Sequence, residues 1–145
     1  MPSPGIRLVA IGKVVTLLRG ITTANGYTTT VASVVHGARI LYEEPPDKFP
    51  IVDVMGGPGG NNEYPADHGE SSFEIVIRGA VRGVDLSGSE GLLADIKNRI
   101  IGDPTLTGSV ILISPTREDV DGGYWEHSWC EVVCTCWYEH NLGSA

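Results

Sequence analysis

Apolar residues at the start of the chain recur at helical spacing. At about 100° per residue, Ile6, Ala10, Val14 and Leu17 form one stripe, and Leu8, Ile11, Val15 and Leu18 form a second beside it. The pattern predicts a helix over residues 4–19. Ser3 is placed to cap it, Pro4 suits a first turn where a missing N–H costs nothing, and Gly20 is placed to end it. The polar arc is narrow, mainly Gly12, Lys13, Thr16 and Arg19. A helix covering one face of a sheet needs a narrower apolar stripe than this. The excess has two readings: a second packing partner such as another subunit, or a deep seat in the core.

Strand patterns follow. Residues 28–37 are short and β-branched, and residues 49–57 read as a second strand, with Pro50 favouring a strand start or an edge. Residues 71–83 alternate: Phe73, Ile75, Ile77 and Val81 on one face, Glu74, Arg78 and Arg82 on the other. That is the mark of a half-buried antiparallel strand. A second helix is predicted over residues 89–101. Ser87 and Glu90 have capping-box spacing, Leu92, Leu93, Ile96 and Ile100 form its buried stripe, and Gly102 and Pro104 stop it. Residues 109–115 read as a short apolar strand and residues 124–140 as a long final one. In that last strand Trp129, Val133 and Trp137 share one face, and Cys130, Val132, Cys134, Cys136 and Tyr138 share the other. The order predicts an α+β fold: residues 1–145 as a single domain, an antiparallel β-sheet with two α-helices packed mainly on one face, and long loops.

Composition narrows the function classes. A chain of 145 residues with 41% hydrophobic content supports one sizeable core. No apolar run approaches the roughly 18–20 residues of a membrane span. Gly12 and Lys13 interrupt the N-terminal apolar stretch, which lacks a secretory profile. Three cysteines cannot all pair internally, which favours free thiols in a reducing compartment. The net charge of −8 argues against neutralising DNA phosphates and against an anionic membrane surface. That charge is segregated. Residues 1–40 carry Arg7, Lys13, Arg19 and Arg39 and no acid, whereas residues 41–74 carry eight acids against Lys48 alone. Such a division allows head-to-tail attraction between copies, and equally describes an ordinary solvated surface.

No constellation of catalytic type emerges. Cys130, Cys134 and Cys136 share a strand face with His127 opposite, whereas zinc thiolates come from tight C-x₂₋₄-C turns. Small buried hydrophobes with inert thiols are the simpler reading. Glu63, Asp67, His68 and Glu70 cluster in sequence, but nothing fixes their geometry. The tract GGPGGNN at 56–62 lacks Walker spacing and a following helix. Residues 56–70 therefore read as a flexible Gly/Asn/Pro-rich loop, a hairpin tip or insertion. Ser128 and His127 are neighbours on a strand and face opposite ways. No catalytic, cofactor-binding or metal-binding residue is assigned.

Two segments, in order, resemble the tail terminator proteins of long-tailed bacteriophages. The first comprises Ile21, Ala24, Asn25, Gly26, Tyr27, Thr29, Val34, Gly37 and Arg39, followed by EEPPDKFPIVDV. The second is SEGLLADIKNRIIGDPTLTGSVILI, with an L-L-x-D-I-K helix and a turn carrying Gly102, Asp103, Thr105, Leu106 and Gly108. Thr30 stands where many relatives have an acid, and neither the GGPGGNN tract nor the cysteines belong to the pattern. The resemblance implies a non-enzymatic virion protein, without cofactor, assembled in the bacterial host cytoplasm. It would form a ring, usually a hexamer, that caps the head-proximal end of the tail tube. Its partners would be other copies, the tail tube protein and a head-closure (connector) protein. Genomic DNA would pass through the lumen without specific binding, and no membrane is involved. Val9 and Leu18 are the expected helix-mediated contacts, and Asp67 and Glu70 the expected charge-pairing residues. A head-closure or tail-completion adaptor is the nearest alternative. A small metal-dependent enzyme using Asp67, His68, Glu70 or the cysteines is the alternative of a different class.

Overall fold

The computed structural model describes residues 5–37, 44–63, 68–83, 86–124 and 127–141. The chain runs α1 (Ile6–Leu18), β1 (Ser33–His36), β2 (Ile51–Glu63), β3 (His68–Arg82), α2 (Leu86–Ile101), β4 (Leu112–Tyr124) and β5 (His127–Asn141). Two 3₁₀ turns, Thr23–Asn25 and Pro46–Lys48, flank β1. The expected α+β class and order of elements are both present.

The sheet has five strands in the order β1-β2-β3-β5-β4. β1 is parallel to β2, and every other pair is antiparallel, so the expected antiparallel sheet is mixed at one edge. The reason is connection length. A parallel neighbour needs a crossover of a dozen or more residues, and residues 37–50 supply it. The two helices share one sheet face. A single apolar cluster joins Ala10, Val14 and Leu18 of α1 and Leu92, Ile96 and Ile100 of α2 to strand residues such as Val54, Ile77 and Val132. Phe73, Ile75 and Ile77 are all buried on that face, as their alternation predicts. Glycine is required at one crossing of the two layers: a Cβ on Gly79 would stand 2.6 Å from Leu92 Cδ2 and 2.9 Å from Cys130 Sγ.

Several boundaries differ from those expected, each for a local reason. Gly5 caps α1 and makes no side-chain cap bond, while Ser3 and Pro4 lie outside the described residues. α2 begins at Leu86, so Ser87 lies inside the first turn rather than at the position before it. Ser89 instead donates its hydroxyl to the Leu86 carbonyl at 3.0 Å. Only residues 33–36 of the β-branched run 28–37 pair as a strand. The backbone N–H groups of Thr28 and Thr29 go instead to the Asp95 carboxylate, at 3.2 and 2.8 Å. β4 starts later than expected because residues 102–109 form a tight turn. Leu106, Thr107 and Gly108 have φ of 48°, 58° and 81° there. Left-handed backbone at a β-branched residue is strained. Asp103 holds it by accepting bonds from both the N–H and the hydroxyl of Thr107, each at 2.9 Å.

The tract expected as a loop at 56–70 is mostly strand. Gly59–Asn62 pair with Phe73–Glu70, across a bulge between Gly56 and Gly59. A Pro and several glycines read as loop in one dimension. In the sheet they sit on the outer side of β2, beyond the end of β1, where Pro and irregular backbone are tolerated. Residues 64–67 lie outside the described residues.

Candidate assembly surfaces

Two features stand out among the described residues: a groove beside α1 and the sheet face turned away from the helices.

The groove lies between α1 and the turn after α2. It encloses about 440 Å³ and is lined by Val9, Gly12, Lys13, Thr16, Arg99 and Thr107 among others. Arg99 is fixed from below, since its Nε donates to the Leu17 carbonyl at 2.8 Å and its guanidinium lies 5.9 Å from the centre of the Tyr27 ring. Gly20 makes room for that guanidinium, where any side chain would collide with it. Helix end, glycine stop and arginine are thus one local unit, built from both segments that carry the family resemblance. A second contact joins the same segments. Asp95 in L-L-x-D-I-K is 4% exposed, and beside the two N–H groups it accepts the Thr28 hydroxyl at 2.9 Å. A buried carboxylate is stable only with such donors.

The outer sheet face is laced with charge. Register places Asp53, Arg78, Glu131 and Asp119 in one row across β2, β3, β5 and β4. Arg78 lies 3.7 Å from the fully buried Asp53 carboxylate. One row pair further, Arg117 reaches across β5 to Glu74 at 3.1 Å. A small apolar group of Ile51 and Ala80, flanked by Val35, Phe49 and Trp129, closes the far end of this face. His127 stacks there on Phe49, with ring centres 4.7 Å apart. Ser128 faces the opposite way, into the core, so the two neighbours form no dyad.

Of the expected contact residues, Val9 is half-buried and lines the groove. Leu18 is not at the surface. It is 0% exposed and packs in the core, so it offers nothing to a neighbour. Leu8, one residue before Val9, is the exposed apolar position of α1 at 59%. Spacing alone did not separate Leu8 from Leu18, because the two belong to one apolar stripe of α1. Asp67 lies outside the described residues. Glu70 sits in β3, paired with Asn62 on one side and Glu139 on the other. His68 pairs with Asn141 at the start of β3.

The three cysteines lie in the core as free thiols. Burial pushes Cys130 and Cys134 up to about 12 and Cys136 up to about 11. The Glu90 charge adds to the rise at Cys130, and a backbone hydrogen bond at Gly79 opposes it. A thiol held protonated is a poor nucleophile at neutral pH. No group of three or more His, Cys, Asp or Glu able to hold a metal ion occurs among the described residues. No helix among them is long and apolar enough to cross a membrane.

No family model matches the chain, and no curated protein sequence matches it. Among solved structures, the chain is similar to one in the structure titled "Virion of native gene transfer agent (GTA) particle". The TM-score is 0.58 at 13% identity, and the match covers 88% of this chain and 92% of that one. At that identity the likeness is one of fold.

Proposed function

We propose that this protein is a structural component of a phage-type virion, and within it a tail terminator. It forms a ring on the head-proximal end of the tail tube, ends tube growth and offers its other face to the head-closure protein. The observation that carries the reading is the fold likeness to a virion chain over nearly the whole length of both proteins. It is supported by the two motif segments, which are far apart in sequence yet held together by Asp95 and Arg99. The mechanism is capping by shape. Head-to-tail association of identical copies closes around an axis, and the closed ring has one face that fits the tube and one that does not accept another tube ring. The outer sheet face, where Glu74, Asp119, Asp121 and Glu131 stand against Arg78, Arg82 and Arg117, suits a wall that DNA passes without binding.

The test uses purified tails lacking the protein. A terminator binds their head-proximal ends, stops further growth and makes them competent to join heads. Binding to portal-bearing heads but not to tails would replace this reading with a head-closure adaptor.

A further inference from the structure

We propose that the outer side of α1 docks on an acidic pocket in the outer sheet face of a neighbouring copy, bringing Lys13 and Arg19 to its carboxylates. The inference rests on the ring reading and names the two surfaces that meet.

α1 is a helix of one sign. With its C-cap it carries Arg7, Lys13 and Arg19 and no acid. Arg7 is engaged within the chain: its guanidinium donates to the Gly57 carbonyl and lies 5.3 Å from the centre of the Phe73 ring. Lys13 and Arg19 form no ion pair among the described residues, whereas Arg78, Lys97 and Arg117 each have a carboxylate within 4 Å. Leu8, Gly12, Thr16 and Arg19 are all exposed, and their spacing puts them along one side of the helix, away from the core. Gly12 sits in the middle of that side. A glycine inside a helix destabilises it relative to alanine, and nothing within 4 Å of where a Cβ would be calls for one here. A glycine that its own chain does not need suits the close approach of another surface.

The outer sheet face supplies the complement. A pocket of about 130 Å³ there is lined by Arg78, Asp119, Asp121, Trp129 and Glu131. It has room for the end of a side chain and not for a peptide segment. Arg78 faces Asp53 at 3.7 Å, and Asp119 accepts the Val120 N–H at 2.9 Å. Asp121 and Glu131 have no basic partner within 4 Å among the described residues. Register explains the crowding: Asp119 stands directly opposite Glu131, and Asp121 follows on the same face. Like charges at directly opposed positions destabilise a sheet, and a cation brought from outside relieves them. Trp129, opposite Asp121, adds an aromatic wall that favours a cation as well. α1 covers one face of the sheet and the pocket opens on the other. The two are different surfaces of one chain, as a head-to-tail ring requires.

The test mixes Thr16→Cys copies with Asp119→Cys copies and adds a short bismaleimide. The native thiols are buried, so wild-type protein gives the blank. The expected result is a cross-linked pair in the mixture that neither variant forms alone. In parallel, Arg19→Glu should raise the concentration for half-assembly at least about tenfold, and Asp121→Lys should do the same. A chain carrying both reversals should assemble again. Gly12→Gln should block assembly too, with a urea midpoint no lower than that of wild type. Wild-type rings with no cross-link in the mixture, or Arg19→Glu and Gly12→Gln variants that assemble normally, would overturn the docking and leave the ring reading standing. Wild-type chains that stay monomeric both in solution and on tail tubes would overturn both.

Discussion

The two helices lie on the same sheet face and meet it differently. α2 turns Leu92, Leu93, Ile96 and Ile100 inward, leaves Glu90, Ala94 and Asn98 exposed along its length, and exposes apolar surface at its two ends, Leu86 at 45% and Ile101 at 58%. α1 buries Ala10, Ile11, Val14, Val15 and Leu18, yet Leu8 remains 59% exposed and Val9 and Leu17 half-exposed. A single exposed leucine is ordinary. What sets α1 apart is its flank, where the half-exposed Val9 and Leu17 line a groove together with Lys13 and Thr16.

α2 rests on β5, whose thiols lie in the core, so alkali should unseat it. The unfolded chain ionises its thiols near about pH 8.5–9, while the fold keeps them protonated to about 11–12. Full stability is therefore present below about pH 9 and falls above it, by about 1.4 kcal/mol per pH unit per thiol and about 4 for three. Urea titrations from pH 8 to 11 read this slope, and Cys134→Ala should reduce it by about a third. Cavities come next. Leu18→Ala and Ile96→Ala should each cost about 2–5 kcal/mol, because both side chains are fully buried. An equal loss at Leu8→Ala would erase the contrast between the two faces of α1, since a surface change there should stay within about 0.5 kcal/mol. Asp95→Ala strands three donors and should cost about 1–3 kcal/mol in the same titration, with Asp95→Asn milder. The smallest effect is expected at Glu118→Gln. It removes the exposed Lys97 ion pair between α2 and β4 and should cost under about 1 kcal/mol.

Periodicity was enough to reveal both helices, the core face of β3 and the inward face of β5. Those features depend on repeats of 3.6 and 2 that the side chains carry themselves. What stayed hidden depends on partners distant in sequence. The periodicity of α2 says nothing of Asp95, which is buried because Thr28 and Thr29 donate to it. The same bonds explain why the β-branched run 28–32 is not strand. The parallel pairing of β1 needed the crossover geometry, and the strand character of Gly59–Asn62 needed β3 beside it. Of the expected contact residues, Val9 belongs to neither apolar stripe and lines the groove. The burial of Leu18 was not legible, because a stripe names a face of the helix and not which of its residues stay exposed.

Native mass spectrometry over a concentration series, on wild-type protein and on Leu8→Asp, tests the central claim most directly. The account predicts a metal-free hexamer for wild type and a folded, unassembled chain for Leu8→Asp. A wild-type protein that stays monomeric at every concentration and fails to bind tail tubes would contradict it, as would a Leu8→Asp variant that assembles as wild type does.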